Sequence, residues 1–310
     1  MQFQEEKQSE SICYLNGDMI PFQDARLPVF DLAIMQGATV TERLRTFRHV
    51  PYDVDAHLKR LQQSLDLVGW PNLPDLSNLS HVVAEIARLN TKNLAVNSDL
   101  AIVLFISAGQ AVGDSNGLID QSKPTVCVYS APLPFSKWTA GYTQGVELIV
   151  PEVRQIPRIS IDPKIKMRSR LHWQLADQEA RRKNPRALAL LLDEYDCLTE
   201  TSSGNLMIVK NGAVFSPRES QTLDGISRQH VIQICEELEI PFTFTDLKKS
   251  DLLQADEAFL TSSTFCLMPV ASVDGNSIGT SIPGTVTEKI RQSWTTSIGL
   301  DFVEQAKSAK

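Results

Sequence analysis

The sequence predicts an α+β protein in two parts, divided near residue 135. Three observations carry this reading. Apolar residues recur at helical spacing in some stretches and run continuously over strand lengths in others. Asn-Gly and Asp-Gly pairs lie between or beside strand-like runs, where their tolerance of positive φ marks tight turns. The segment Ala131-Pro-Leu-Pro-Phe-Ser-Lys-Trp interrupts both patterns, and its prolines argue against regular strand pairing there. The expected organisation is a smaller N-terminal domain over 1–131, a linker over 132–139 and a larger, β-rich C-terminal domain over 140–310.

The first ordered element is expected near Ile12. Ile12 to Leu15, Asn16-Gly17 and Asp18 to Pro21 read as strand, type I′ turn and strand. Val54, Leu58, Leu61, Leu65 and Val68 share one helical face, as do Leu79, Val82, Val83, Ile86 and Leu89. β-rich runs follow over Leu100 to Ser107 and Pro124 to Ser130. Past the proline segment come a strand near Val146 to Val150 and a helix from about Arg168 to Lys183, with Leu171, Leu175 and Ala176 as its apolar stripe. Ala187 to Leu192 reads as a short buried strand and Asp193 to Asp196 as a polar turn. Leu206 to Val209 and Ala213 to Phe215 flank Asn211-Gly212, a second hairpin. Asp224-Gly225-Ile226-Ser227 precedes a helix through about Leu238, with Ser227 as N-cap. Asp251 to Gln254 reads as a helical turn. Glu257 to Thr261 and Met268 to Val273 read as strands, Asp274-Gly275 as a turn, and Thr285 to Thr296 as the final helix.

Composition excludes several classes of function. With 42% apolar and 22% charged residues the chain has ample material for a core. A net charge of −7 argues against an electrostatic nucleic-acid surface. The first ten residues carry neither the basic nor the apolar region of a secretory signal, and the longest aliphatic run, Ala187 to Leu192, is too short to span a bilayer. The five cysteines form no C-x-x-C pair, which suits a reducing cytoplasm. The scattered histidines show no metal-ligand spacing, so no metal is expected.

The chemistry is carried by motifs in order. The first half shows YLNG (14–17), PVFDLAIMQGATVTE (28–42) and DAHLKRL (55–61). The second shows PKIKMRSRLHWQLADQEA (163–180), LTETSSGNLMIVKNGAVFSP (198–217), DGISRQHVI (224–232) and QADEAFLTSSTFCLMPVASVDG (254–275). Any one of these is weak. Their succession resembles the class IV aminotransferases, which include branched-chain and D-amino-acid aminotransferases and 4-amino-4-deoxychorismate lyase. The resemblance covers about residues 12 to 290. It implies the two-domain fold type IV, pyridoxal 5′-phosphate as cofactor bound by the C-terminal domain, amino-acid and 2-oxo-acid substrates, and a homodimer.

The resemblance also implies roles for particular residues. The cofactor aldehyde needs a lysine amine for a Schiff base, and Lys166 matches that position, with Lys164 as the rival two residues away. The ring nitrogen needs a carboxylate to stay protonated, and Glu200 stands in the matching place, followed by Ser202, Ser203, Gly204 and Asn205. The phosphate needs backbone N–H groups at a helix start and a fixed cation. Ile226 and Ser227 match the first, Arg60 the second, and Ser262, Ser263 and Thr264 match a second phosphate loop. Singly, each admits a plainer reading: solvated surface lysines, an exposed turn glutamate, a helix-face arginine, a simple N-cap. His57 reads as structural, and His172 stays outside the catalytic set.

The substrate side departs from the family pattern. Relatives place aromatic residues at positions matching Ile34, Gln36 or Thr41, and none is aromatic here. Relatives often carry an arginine in or near the strand Leu100 to Gly109, and Ala108 occupies one such position. Arg168 and Arg170 are candidates to anchor the substrate carboxylate instead, with surface charge or a dimer contact as the alternative for both. The leading expectation is an aminotransferase for branched-chain or D-amino acids. A deoxychorismate-type lyase is the rival, since an arginine at the offset of Arg170 occurs there. A cofactor-binding homologue without catalysis is the third.

Overall fold

In the computed structural model, which describes residues 11–112, 120–121 and 123–309, the first hairpin forms where Asn16-Gly17 predicts it. The N-terminal stretch read for a secretory signal lies outside the described residues. Strands β1 (Ile12–Leu15) and β2 (Asp18–Pro21) pair antiparallel around Asn16, φ 54°, and Gly17, φ 112°. A short helix, α1 (Leu32–Met35), is capped by Asp31, whose side chain accepts from the Ala33 N–H. Then follow β3 (Thr39–Phe47), β4 (Val50–Pro51), α2 (Val54–Val68), α3 (Leu79–Asn90), β5 (Leu100–Ser107), β6 (Ala111–Val112), β7 (Asp120–Gln121) and β8 (Val126–Pro132).

Six of these strands make one sheet in the order β2-β1-β8-β5-β3-β4, with β6 and β7 paired separately. Every pairing in it is antiparallel. One face packs on α2 and α3. Val40 and Leu44 of β3, Ile102, Leu104 and Ile106 of β5, and Val128 of β8 meet Leu61 and Leu65 of α2 and Val82, Val83 and Ile86 of α3. The two helical faces are thus those the spacing predicts, except that Ala87 rather than Leu89 completes the stripe on α3. Strand β3 is an addition to the expected elements. Its sequence TVTERLRTF sets Glu42 between Val40 and Leu44 on the core side, which breaks the apolar alternation that marks a strand.

This first unit runs to Leu133 and also includes Ile165–Ser169. The second comprises Pro134–Lys164 and the chain from Arg170 onward. The two prolines expected to interrupt regular structure instead end one element and begin another. Pro132 is the last residue of β8, and Pro134 is the N-cap of α4 (Phe135–Gln144), where a missing N–H costs nothing. The unit continues with β9 (Val146–Ile149), α5 (Leu171–Lys183), β10 (Leu188–Leu192), β11 (Leu198–Thr201), β12 (Asn205–Lys210), β13 (Ala213–Pro217), α6 (Ile226–Glu237), β14 (Phe242–Thr245), α7 (Lys249–Leu253), β15 (Glu257–Ser262), β16 (Cys266–Val273), β17 (Asn276–Ser277), α8 (Thr285–Ile298) and α9 (Phe302–Ser308).

Its sheet follows the order β11-β10-β9-β16-β15-β12-β13-β14, and β11 also pairs with β12 through Glu200 and Asn205. That pairing returns the sheet on itself, so six strands close into a barrel. Three differences from the expected elements have local causes. Helix α5 begins at Leu171, not Arg168, because 165–169 belong to the other unit; it buries Trp173, Ala176 and Ala180, while Leu171 and Leu175 are 70% and 47% exposed. Helix α6 is capped by Gly225, leaving Ser227 inside its first turn. The chain ends on an unexpected helix, α9, whose N-cap Asp301 accepts from the N–H groups of Val303 and Glu304 at 2.9 and 3.1 Å. No helix among the described residues is long and apolar enough to cross a membrane.

Leu61 is fully buried between α2 and the first sheet. Leu61→Ala should lower the unfolding free energy by about 2–5 kcal/mol in urea titration, and a loss below about 1 kcal/mol would contradict this packing.

Candidate active site

Lys166 sits on an extended segment lining the start of β3. Its carbonyl accepts from the Thr41 N–H at 2.8 Å, the Arg168 N–H donates to the Thr39 carbonyl at 3.2 Å, and Met167 bridges Val40. The Lys166 N–H donates to the Ser64 hydroxyl of α2 at 3.1 Å. Ile165 packs into the core behind β3. Since alternate residues of a strand face opposite ways, Lys166 and Arg168 project from the other face, with Thr39 and Thr41. Lys164 belongs to the second unit, and its N–H donates to the Asp162 carboxylate at 2.9 Å.

Behind the lysine segment lies a buried charge cluster. Helix α2 turns His57, Arg60 and Ser64 to one side, at helical spacing. The Glu42 carboxylate, with no exposed surface, accepts from Arg60 Nε and Nη2 at 2.7 and 2.8 Å and from His57 Nδ1 at 2.7 Å. Burial disfavours its charge. The Arg60 charge and the hydrogen bonds from Arg60 and His57 outweigh that and hold its carboxyl well below the usual carboxylate range. Burial likewise pushes the His57 pKa down, against the pull of Glu42, so a neutral imidazole donates from Nδ1 to an ionised carboxylate. Sequence reasoning places Arg60 and His57 but misses Glu42, whose signal is a charged residue at a core-facing position of a strand.

The substrate-side candidates of this unit disperse. Thr41 is buried and its hydroxyl donates to the Leu104 carbonyl at 2.6 Å, so it is committed within the sheet. Ile34 is 59% exposed on α1, and Ala108 is buried just past β5. Arg168 is exposed, donates to the Tyr129 hydroxyl at 3.3 Å and lies 5.3 Å over the Phe105 ring.

In the second unit, Glu200 ends the barrel-closing pair. Its carboxylate accepts from the Asn205 amide at 3.0 Å and the Leu223 N–H at 3.2 Å, and the same Asn205 amide donates to the Leu223 carbonyl at 3.1 Å. Gly225 closes against this group, since a Cβ there would overlap the Asn205 amide oxygen. Gly225 starts α6, and no side chain caps that end, so the N–H groups of Ile226 and Ser227 lie at an uncapped helix start. Arg228, fully buried in the same turn, donates to the Thr222 hydroxyl at 2.7 Å, while its Nε is buried with no hydrogen-bond partner. Burial lowers its pKa and the Asp224 and Glu200 charges oppose that shift. The Thr201 hydroxyl accepts from the Ser203 N–H at 3.3 Å. In the turn after β15, the Ser262 and Thr264 hydroxyls lie 3.3 Å apart with Ser263 between them in the chain. Arg170 donates to the Ser202 carbonyl and lies 5.9 Å from the Trp173 ring, tied within its own unit.

The Glu42 cluster sets a pH dependence. Both its depressed pKa values mean that the folded state binds fewer protons than the unfolded one, so stability falls on acidification: first through the ordinary histidine range, then below the carboxylate range. Glu42→Gln leaves Arg60 buried without its counter-charge and should cost about 3 kcal/mol at neutral pH. The gap from wild type should narrow below about pH 4 in denaturant titrations, and a gap that does not change with pH would count against the pairing.

Comparison with known proteins gives these halves a family. The class IV amino-transferase model matches residues 39–273. A protein of Methanocaldococcus jannaschii assigned as a branched-chain-amino-acid aminotransferase is 31% identical over 284 residues, spanning 91% of this chain and 94% of its own. A D-alanine aminotransferase of Bacillus licheniformis is 26% identical over 287 residues, spanning 91% and 95%. The crystal structure of a T.th. branched-chain amino acid aminotransferase with pyridoxamine 5′-phosphate shares the fold, with a TM-score of 0.83 at 24% identity over 93% of this chain and 94% of that one. With the family model spanning most of its length, this protein belongs to the class IV aminotransferases and is an enzyme of that family.

Proposed function

We propose that the enzyme moves the amino group of an α-amino acid to a 2-oxo acid, and that Lys166 is the residue that binds its cofactor covalently. The cofactor is pyridoxal 5′-phosphate. The observation that carries the Lys166 assignment is its fixed backbone: two hydrogen bonds tie the segment to β3 and the Lys166 N–H donates to the Ser64 hydroxyl, while Lys164 sits in a turn on Asp162. The residues fit the group. An uncapped helix start, a buried arginine with an unsatisfied Nε and a sequestered carboxylate are what a phosphate and a protonated pyridine require.

When bound, the cofactor supplies an electron sink for charge developing at the substrate α-carbon. Lys166 Nζ would serve as the base that takes the substrate α-proton. Glu200 keeps the proton on the ring nitrogen, and Asn205 and Leu223 hold Glu200 in one orientation. The N–H groups of Ile226 and Ser227 and the Ser263 and Thr264 loop would offset the phosphate charge; the resemblance to the family gives Arg60 the same role, and Glu42 holds its guanidinium in place. Ser203 and Asn205, which follow Glu200 in the chain, would help to hold the ring. The assignment of the 31% identical relative supports a branched-chain amino acid as donor. A homodimer in a reducing compartment, suited to five buried free cysteines, completes the reading.

Purified protein saturated with pyridoxal phosphate should show a visible absorption band that leucine bleaches. Lys166→Ala should lose both band and turnover, and retention of both would end the Lys166 assignment. Glu200→Gln should keep the band while kcat falls at least about 100-fold; an unchanged kcat would remove Glu200 from its role.

A further inference from the structure

The sheet face opposite α2 and α3 carries two arginines, Arg43 and Arg168, that have no carboxylate partner among the described residues. In the register, Arg43 of β3 opposes Val103 of β5, which opposes Tyr129 of β8, and Thr41 opposes Phe105. Opposed residues share a face, so Arg43, Tyr129 and Phe105 lie on the side to which Lys166 and Arg168 also project. There the Arg168 guanidinium rests over Phe105 and donates to the Tyr129 hydroxyl. Partial desolvation, then the Arg168 charge, lower the Arg43 pKa, and Tyr129 opposes them.

Among the described residues, no carboxylate pairs with either guanidinium. Glu42, adjacent to Arg43 in sequence, points into the core and is taken by Arg60 and His57. Two like charges on one sheet face repel, and an anion shared between them removes the repulsion and gains charge-assisted hydrogen bonds. Tyr129 accepts from Arg168 and so keeps its own proton to donate. The fixed features are two guanidinium forks, one phenolic donor and the Lys166 side chain on one sheet face.

We propose that Arg43, Arg168 and the Tyr129 hydroxyl bind a carboxylate of the amino-acid or 2-oxo-acid substrate. This rests on the reading of Lys166 as the cofactor-binding residue. Arg43 is the specificity-determining residue of the three, since it brings its charge to this face from within the strand, whereas Arg168 also packs on Phe105.

The test uses the enzyme loaded with pyridoxal phosphate and two unreactive acids, 4-methylvalerate and glutarate, titrated by calorimetry into wild type, Arg43→Met, Arg168→Met and Tyr129→Phe. The visible band, recorded first, reports whether each variant is folded and loaded. We expect Kd for the acids to rise at least about 10-fold in each arginine variant, and less in Tyr129→Phe, with the band retained. Weakening of both acids identifies the carboxylate they share; weakening of glutarate alone identifies a second, distal carboxylate. Arginine variants that bind both acids within about two-fold of wild type overturn the proposal, as does wild type that binds neither. A wild-type protein without a visible band overturns the Lys166 reading instead, and is distinguished before any acid is added.

Discussion

A carboxylate buried among Val40, Leu44 and Leu61 would cost several kcal/mol if left alone, and the Glu42 site is built around that constraint. Three side-chain donor groups from α2, on residues one turn apart, satisfy it together with the Arg43 N–H of β3 at 3.3 Å. The helix can meet the carboxylate with both His57 and Arg60 in only one rotation about its axis. That rotation carries Ser64, one further turn along, to the Lys166 N–H. A single ion cluster therefore fixes the helix, and the helix fixes the backbone on which the lysine stands. Arg60, drawn into the same cluster, has already lost the conformational freedom that a long side chain otherwise gives up on meeting an anion.

The second unit solves a similar problem by another route. Glu200 sits at the strand pair that closes the barrel, where register is fixed by every other pairing around the ring. Asn205 directly opposes it, holds its carboxylate and the Leu223 carbonyl with one amide, and leaves room only for a glycine at position 225. The helix start at Gly225 is thereby indexed to the carboxylate. The local backbone, not a flexible side chain, sets the separation between an acid and an uncapped helix end.

Local signals are legible in the sequence. Asn16-Gly17 and Asn211-Gly212 mark their turns because the left-handed conformation is a property of those residues alone. The stripes of α2 and α3 show because each helix turns a continuous apolar face to the sheet. Features that depend on distant partners do not show. Strand β3 is hidden by the glutamate that gives it its purpose, since Glu42 is intelligible only beside Arg60 and His57. The start of α5 falls later than its periodicity suggests because residues 165–169 complete a sheet from another part of the chain. Thr41 has the place of a substrate contact in the motif, yet its hydroxyl is spent on the Leu104 carbonyl. Ser227 has the residue type of a cap, whereas the close approach to Asn205 demands glycine at the cap itself. The motif order nevertheless points to the family, and the lysine, the acid and the helix start it names all lie on well-fixed backbone.

The lysine segment belongs to a sheet whose other strands are complete by Leu133. A ribosome that has released the chain to that point has delivered all the strands of the first sheet, and still lacks the piece that covers the start of β3. Until residues 165–169 emerge, the Thr39 carbonyl and the Thr41 N–H face water on a bare edge. The piece that covers the start of β3 is thus synthesised after every strand of the sheet it lies against, and it carries Lys166. Order of synthesis makes the Lys166 segment the last piece of its own scaffold to leave the ribosome.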